Sequence, residues 1–382
     1  MYKIHCLNNI SKEGLSVLSK DYALTDDLKE SDAVLVRSFN MHELDLKDHV
    51  LAVARAGAGV NNIPLDKYAN QGIVVFNTPG ANANAVKELT IAGMFLAARN
   101  LSPAMDWIKE NNQDPDIQKN MEKAKKAFAG TEILNKTIGI IGLGSIGIML
   151  ANTCAKMGMK VLGTKRNLET LKDLDFHDNV TLVKTKEEIY EKADYISLNV
   201  PLNDNTKHLI DKKAFDQMKD GVIILNFARD KLVNDDDLEV AIKANKVRAY
   251  VTDFPNPKTA QMDGVIAFPH LGASSEEAET NCAIMASTEI SKFIETGAIK
   301  HSVNYPDILV DQKQSIYRYV ILCKVSNQDH QSYTKEVISL FEDIKHVYQA
   351  YNDHYGVVII DTDKEAITDL DQISFVTKVR VI

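Results

Sequence analysis

A glycine-rich segment at residues 142–147, Gly-Leu-Gly-Ser-Ile-Gly, constrains the fold of this chain more than any other feature. The apolar run 137–141 precedes it and a helix-like segment follows, so the pattern predicts a strand, a tight turn and a helix. In such a turn Gly142 permits the sharp bend, Gly144 lets the backbone approach a pyrophosphate, and Gly147 lets the helix pack against its strand. Because free N–H groups at the helix N-terminus then face the phosphates, the segment predicts dinucleotide binding rather than a merely structural turn.

Strand-like and helix-like segments alternate on both sides of this motif, which predicts parallel, doubly wound sheets. Before the motif, the strand candidates are residues 4–7, 33–37, 51–55 and 73–76. In the unit that contains the motif, they are residues 138–141, 160–163, 195–200, 222–226, 248–252 and 265–267. The polar stretch 111–130 is expected to be an exposed arm or hinge, and a capping box at 274–277 predicts a long helix to about residue 296.

The end of the chain has a different pattern, with segments in the order βαββαβ, which predicts a small ferredoxin-like domain. Its strands are expected at 317–325, 346–351, 356–361 and 375–382, and its helices at 333–341 and near 366–370. We therefore predict an α/β protein with three domains. They are a flavodoxin-like substrate-binding domain (1–95 and 283–303), a Rossmann-type doubly wound dinucleotide-binding domain (96–282) and the ferredoxin-like domain (304–382).

Composition excludes several classes of function. The net charge of −9 argues against general binding of nucleic acid or of an anionic membrane. The four cysteines, Cys6, Cys154, Cys282 and Cys323, lie far apart, so we expect reduced thiols of a cytoplasmic protein and neither a disulfide framework nor a metal site. We see neither a signal-peptide core at the N-terminus nor an apolar run long enough for a membrane span.

Several further segments, in the same order along the chain, resemble the D-isomer-specific 2-hydroxyacid dehydrogenases. They are Leu-Val-Arg-Ser at 35–38, Ala-Gly-Ala-Gly-Val-Asn-Asn-Ile at 56–63, the glycine motif, Asn-Phe-Ala-Arg at 226–229 and Pro-His-Leu-Gly-Ala-Ser at 269–274. The resemblance covers roughly residues 1–305 and is weaker beyond them. It implies NAD(P)-dependent oxidation of D-3-phosphoglycerate to 3-phosphohydroxypyruvate, or the reverse reduction, at the entry to serine synthesis.

Two residues are candidates for the chemistry. Reduction of a 2-keto acid needs a cation for the carboxylate and an acid that protonates the developing alkoxide. Arg229 follows a strand at the carboxyl edge of the predicted sheet, where its guanidinium can grip a carboxylate in bidentate fashion, although a surface salt bridge is the alternative. His270 also follows a strand, and by resemblance it is the acid in reduction and the base in oxidation; a packed core histidine is the alternative.

The resemblance also implies which residues hold the cofactor, with Asp253 contacting the nicotinamide carboxamide. The candidate cofactor residues are Gly142, Gly144, Ser145, Ile146, Gly147, Lys165, Arg166, Pro201, Phe227, Ala228, Asp253 and Gly272. At 165–166, where NAD-using relatives carry an aspartate, the Lys-Arg pair would attract a 2′-phosphate, so NAD and NADP both stay open. A solvated pair at a strand end is the alternative reading.

The chain departs from the family at a second place. A glutamate that normally orients the catalytic imidazole is absent, and Pro257 and Lys258 occupy its region. The nearby carboxylates are Asp253 and, beyond the histidine, Glu276, Glu277 and Glu279. A histidine without such a partner loses orientation and stabilisation of its charged form, so we predict a weakened enzyme, or reduction favoured at lower pH than usual.

Basic residues of the first domain bear on substrate size. By resemblance, the turn at 57–61 offers backbone N–H groups to the substrate carboxylate. The candidate substrate residues are Arg37, Ser38, Ala58, Gly59, Asn82 and Lys87, with Arg55 beside the turn. Several cations near one turn favour a small phosphorylated 2-hydroxy acid, whereas dispersed surface charges are the alternative.

The C-terminal unit resembles an ACT domain, which in related enzymes binds serine. The loop at 324–330 lacks the usual Pro-Gly pair, so we expect the fold to persist and effector binding to be lost. By resemblance we also expect a homodimer or higher homo-oligomer, with residues 100–130 as an arm. Two rival functions stay open: an NADPH-dependent hydroxypyruvate or glyoxylate reductase, and a non-catalytic NAD(P)-sensing module.

Overall fold

Three β-sheets organise the computed structural model, which describes residues 1–326, 330–367 and 370–382. Contacts divide the chain into two units, one formed by Met1–Asn82 with Ser275–Ile382 and the other by Ala83–Ser274. The three-domain boundaries drawn from the sequence stay a prediction about independent folding. No helix in the described ranges is both long and apolar enough to cross a bilayer.

A five-stranded parallel sheet forms from the N-terminal segment. Its elements are β1 (Tyr2–Cys6), α1 (Lys12–Leu15), β2 (Tyr22–Leu24), β3 (Ala33–Val36), β4 (Ala52–Arg55), α2 (Leu65–Asn70) and β5 (Val74–Phe76). The strand order β2-β1-β3-β4-β5 is the flavodoxin-like order, which confirms the predicted fold class. The sequence pattern missed β2, a three-residue edge strand.

The second unit contains a seven-stranded parallel sheet. In chain order it has α3 (Ala83–Ala98), α4 (Leu101–Glu110), α5 (Ile117–Ala124), β6 (Thr137–Ile141), α6 (Ser145–Lys156), β7 (Lys160–Thr164), β8 (Val180–Leu182), α7 (Glu187–Lys192), β9 (Tyr195–Leu198), α8 (Lys212–Gln217), β10 (Val222–Asn226), α9 (Asp235–Lys243), β11 (Val247–Thr252) and β12 (Val265–Ala267). The order β12-β11-β10-β9-β6-β7-β8 is that of a Rossmann sheet, as predicted. Strands β9 and β10 are buried along their whole length because apolar clusters pack on both faces of the sheet.

The chain then returns to the first unit and ends in an antiparallel sheet. The elements are α10 (Glu276–Thr296), β13 (Tyr317–Lys324), α11 (His330–Ile338), β14 (Ile344–Tyr351), β15 (Tyr355–Thr362) and β16 (Val376–Val381). The order β14-β15-β13-β16 confirms the predicted ferredoxin-like, ACT-like fold. Ser275 rather than Ser274 caps α10, since its hydroxyl accepts the N–H of Ala278 at 3.2 Å.

Short 3₁₀ turns cover Leu28–Glu30, Lys125–Phe128, Leu168–Leu171, Asp230–Leu232, Thr259–Gln261 and Leu370–Gln372. Two sequence predictions fall partly outside the described residues: the loop at 324–330 includes 327–329, and the helix near 366–370 includes 368–369. One buried ion pair holds the C-terminal sheet together. The Arg318 guanidinium donates to both carboxylate oxygens of Asp361, at 2.6 and 2.7 Å, and each residue is 1% exposed.

Candidate functional site

The glycine turn lies between β6 and α6 and is fixed to the neighbouring strand. The N–H groups of Gly142 and Leu143 donate to the Thr164 carbonyl at 3.0 and 3.2 Å. Gly142 has a φ of +104°, a region that side chains disfavour, and a Cβ at Gly147 would overlap the Gly142 carbonyl oxygen. A Cβ at Gly144 would meet no described atom within 4 Å, so this position faces open space. The roles predicted for the three glycines fit this geometry.

A pocket of about 790 Å³ opens over this turn. The carboxyl ends of four neighbouring strands, β8, β7, β6 and β9, supply its walls. Open α/β sheets bind ligands at such an edge, where the strand order reverses. Gly142, Gly144 and Pro201 line it, and the first turn of α6 begins at Ser145, beside Ile146. The residues present therefore fit a dinucleotide.

Four basic side chains line the same pocket. Lys165 and Arg166 follow β7, as predicted, and Lys184 and Lys186 follow β8. Neither lysine was predicted from the sequence, because β8 has only three residues and they are mostly exposed. The sequence feature that could have identified these lysines is a Lys-x-Lys pair shortly after a half-polar strand.

Arg229 lies three residues beyond β10 in a turn that buried Asn226 organises. The Asn226 side chain donates to the Arg229 carbonyl at 2.7 Å and to the hydroxyl of Tyr250 at 2.8 Å. The guanidinium of Arg229 donates to the Ala228 carbonyl at 2.6 Å and lies 5.4 Å from the ring centre of Phe254. No carboxylate of the described chain pairs with this guanidinium, so the surface salt bridge alternative is wrong for this position.

His270 contacts the same aromatic ring as Arg229, that of Phe254. Its ring centre lies 4.5 Å from that of Phe254, and its backbone N–H donates to the Asp253 carbonyl at 2.9 Å. His270 has a φ of +47° and is exposed, which argues against the packed core histidine. The two predicted catalytic residues thus meet at one phenylalanine that the sequence did not single out.

Asp253 is the carboxylate of this site. It is 2% exposed; its Oδ2 accepts the N–H of Gly272 at 2.8 Å, and its Oδ1 has no partner among the described residues. Burial raises the pKa of Asp253, whereas the Gly272 N–H and the charges of His270 and Arg229 lower it. A buried orphan oxygen of this kind suits an amide or ammonium donor supplied by a ligand.

The glutamate expected from the family has no substitute at the imidazole. Within the described ranges, neither ring nitrogen of His270 has a hydrogen-bond partner. Lys258 pairs with Asp236 and Glu239, and Glu279 pairs with Arg37 at 2.8 Å. Of the carboxylates named from the sequence, Glu279 is thus engaged by Arg37 and Asp253 by the N–H of Gly272.

Three other predicted cofactor residues, Phe227, Gly272 and Ala228, differ in burial and in hydrogen bonding. Phe227 is buried and stacks on Phe268 with ring centres 6.2 Å apart, so only its backbone is available to a ligand. Gly272 donates its N–H to Asp253, and an added Cβ would lie 3.0 Å from that carboxylate. Ala228 is half-buried in the turn before Arg229.

The substrate candidates of the first unit lie in two loops. Asn8, which the sequence pattern does not single out, accepts the N–H groups of Arg37, Ser38 and Phe39 through one side-chain oxygen, at 2.9 to 3.1 Å. The Arg55 guanidinium donates to the Arg37 carbonyl at 2.9 Å. Both loops are therefore held in place by side-chain contacts.

The turn after β4 leaves backbone donors available. Asn77 donates to the Ala58 carbonyl at 2.6 Å, whereas the N–H groups of Ala58 and Gly59 have no acceptor among the described residues. Asn82 ends the N-terminal segment of this unit and is half-buried. Lys87 belongs to the second unit, where its ammonium donates to the Asn84 side chain at 2.6 Å.

Comparisons with known proteins bear on the family of this chain. Residues 91–272 match the family described as "D-isomer specific 2-hydroxyacid dehydrogenase, NAD binding domain". A D-3-phosphoglycerate dehydrogenase of Methanocaldococcus jannaschii is 32% identical over 312 residues, 79% of this chain and 57% of that protein. A hydroxypyruvate reductase of Thermotoga maritima is 33% identical over 316 residues, 76% of this chain and 98% of that protein.

A solved structure extends the likeness to three dimensions. The NAD⁺-bound 3-phosphoglycerate dehydrogenase of Entamoeba histolytica matches with a TM-score of 0.63 and 26% identity, over 79% of this chain and 98% of that chain. This chain spans little more than half the length of the first phosphoglycerate dehydrogenase relative. Relatives named for both activities match at nearly equal identity.

Proposed function

This chain belongs to the D-isomer specific 2-hydroxyacid dehydrogenase family, and we propose that it interconverts D-3-phosphoglycerate and 3-phosphohydroxypyruvate with NAD or NADP. The observation that carries the proposal is the meeting of Arg229 and His270 at Phe254, on the carboxyl edge of the Rossmann sheet. A cation and a proton carrier side by side are what a 2-keto acid reduction requires.

Each residue has a separate task in this mechanism. Arg229 binds the substrate carboxylate and polarises the neighbouring carbonyl, because its guanidinium has no competing carboxylate in the described chain. His270 donates a proton to the alkoxide oxygen in reduction and removes it in oxidation. A nicotinamide, when bound, would supply or accept the hydride, and the unpartnered Oδ1 of Asp253 would accept a hydrogen bond from its carboxamide.

The phosphorylated substrate is supported by the first unit. Arg37 and Arg55 lie beside a turn whose Ala58 and Gly59 N–H groups are free within the described chain, a combination that suits a ligand with two anionic groups. Because the Arg37–Glu279 ion pair is partly exposed and weakly held, an anionic group of a ligand would displace Glu279 from Arg37.

A second candidate function is a hydroxypyruvate or glyoxylate reductase. The Arg37–Glu279 ion pair favours it, because Glu279 occupies the arginine that would otherwise bind a substrate phosphate. Initial rates with 3-phosphohydroxypyruvate, hydroxypyruvate and glyoxylate, each with NADH and NADPH, separate the two. Turnover with the phosphorylated acid alone supports our proposal. Faster turnover of the smaller acids would contradict it and indicate a reductase instead. No turnover despite dinucleotide binding would indicate the sensing module.

We further propose that α4 and α5 join two copies of the chain. Within the described residues neither helix contains a buried side chain, and Met105, Ile108 and Met121 are exposed on them. Apolar residues on amphipathic helices without a packed partner indicate a protein interface. Light scattering should give a dimer for the wild type and a smaller species for Met105→Glu/Ile108→Glu. A monomeric wild type would contradict the proposal.

A further inference from the structure

The four basic residues of the nucleotide pocket, Lys165, Arg166, Lys184 and Lys186, have no function yet in the proposed reaction. From their placement we infer that the pocket selects NADP(H) over NAD(H), with Lys184 and Lys186 contributing to the site of the ribose 2′-phosphate. The inference rests on the proposed function, because it requires that a dinucleotide binds here.

The sheet brings the four cations together. Strands β7 and β8 are parallel neighbours, with Gly163 paired to Leu182 and the N–H of Val183 donating to the Gly163 carbonyl at 2.9 Å. Lys165 and Lys184 each lie two residues beyond this last pair. Parallel strands end at the same edge, so both loops leave the sheet side by side.

The glycine turn lies next to these loops. Gly142 and Leu143 both donate to the carbonyl of Thr164, the residue directly before Lys165. The diphosphate of a dinucleotide is bound by the N–H groups of such a turn and of the helix that follows it. The adenosine ribose then lies at the end of the second strand of the fold, which is β7. The cations would therefore lie nearer to the ribose than to the diphosphate of a bound dinucleotide.

Charge supports the same conclusion. In the described chain none of the four side chains forms an ion pair, whereas Lys172 and Lys212 of the same unit pair with Glu169 and Asp216. The carboxylate of Glu188, four residues after Lys184, accepts the backbone N–H groups of Lys184 and Thr185, at 3.1 and 3.2 Å.

The described lining of the pocket also includes no aspartate or glutamate. An acidic residue at this point would hydrogen-bond the ribose hydroxyls of NAD and repel a 2′-phosphate. Four unpaired cations without an acid favour the opposite ligand, because a phosphate dianion accepts several charge-assisted hydrogen bonds. Lys184 and Lys186 are therefore specificity-determining residues that the family pattern after β7 does not include.

Calorimetric titration of the intact protein tests the inference without relying on turnover. The wild type, Lys184→Gln/Lys186→Gln and the control Lys213→Gln are each titrated with NADPH and NADH. Lys213 is exposed on α8 and outside the pocket lining, so the control changes charge only. We expect the wild type to bind NADPH at least about tenfold more tightly than NADH, and the double variant to lose about tenfold for NADPH while NADH changes less than twofold.

Two results would overturn the inference and leave the proposed dehydrogenase intact: NADH binding as tightly as NADPH, or the double variant weakening both equally. Failure of the wild type to bind either dinucleotide would instead contradict the proposed function. Should the double variant not fold, titration of the wild type with adenosine 2′,5′-bisphosphate and 5′-AMP decides the matter. Preference for the bisphosphate supports the 2′-phosphate site, and equal affinities refute it.

Discussion

Alanine at two glycines of the turn separates dinucleotide binding from folding. A Cβ at Gly144 meets no described atom within 4 Å, so Gly144→Ala has no steric cost in the free protein. Gly144 is the N-cap of α6, a position where alanine is less favourable, but reduced freedom of the unfolded chain offsets this by about 0.4–1 kcal/mol. We expect the free energy of unfolding to change by no more than about 0.5 kcal/mol. The methyl group would occupy the space above the turn, so affinity for NADPH should fall by about tenfold or more, about 1.4 kcal/mol per tenfold.

Gly147→Ala is the matched comparison. Its Cβ would overlap the Gly142 carbonyl oxygen, which is backbone and cannot turn aside, so α6 must move away from the turn. Overpacking of this kind costs about 1–3 kcal/mol, and both stability and affinity should fall. Urea unfolding of the free protein and calorimetric titration with NADPH measure the two quantities. A Gly144→Ala protein that binds NADPH like the wild type would refute the placement of phosphates over this turn.

Three further predictions concern catalysis, pH and the C-terminal sheet. His270→Gln should lose at least about 100-fold in turnover and keep dinucleotide affinity, measured by steady-state rates and titration; unchanged turnover would contradict the role of His270 as the proton carrier. Burial raises the pKa of Glu289 from 4.5 to about 9 and lowers that of its partner His301, 2.8 Å away. Above pH 6.5, where His301 is neutral in the unfolded chain as well, the folded protein keeps the Glu289 proton that the unfolded chain releases. The free energy of unfolding should therefore decrease from pH 7 to pH 8, by at most about 1.4 kcal/mol per unit. Glu289→Gln should flatten this dependence in urea unfolding, exposed Glu277→Gln should not, and equal profiles would contradict the assignment. Arg318→Met leaves Asp361 buried without its cation and should lower the free energy of unfolding by about 3–5 kcal/mol. The double variant Arg318→Met/Asp361→Leu should recover most of this loss. A double variant no more stable than the single one would contradict the buried ion pair as the cause.

Local patterns in the sequence were sufficient for much of the fold. The glycine turn, the long apolar strands and the capped helices depend on neighbours within a few residues, and each appears close to its predicted place. The strands at 222–226 and 265–267 match residue for residue. Edge strands β2 and β8 were not predicted, because three residues show too little alternation of apolar and polar side chains to distinguish a strand from a loop.

The sequence by itself determined the three sheets, the dinucleotide turn and the two residues at which the chemistry is expected, because strand ends and turn glycines are encoded locally. Tertiary structure alone decided the partners of those residues. The contacts of Phe254 with Arg229 and His270, and of Glu279 with Arg37, join segments far apart along the chain, and Lys184 lines the same pocket as the glycine turn. Such contacts depend on which strands become neighbours, and that order is set by burial of the whole sheet rather than by any short stretch of residues.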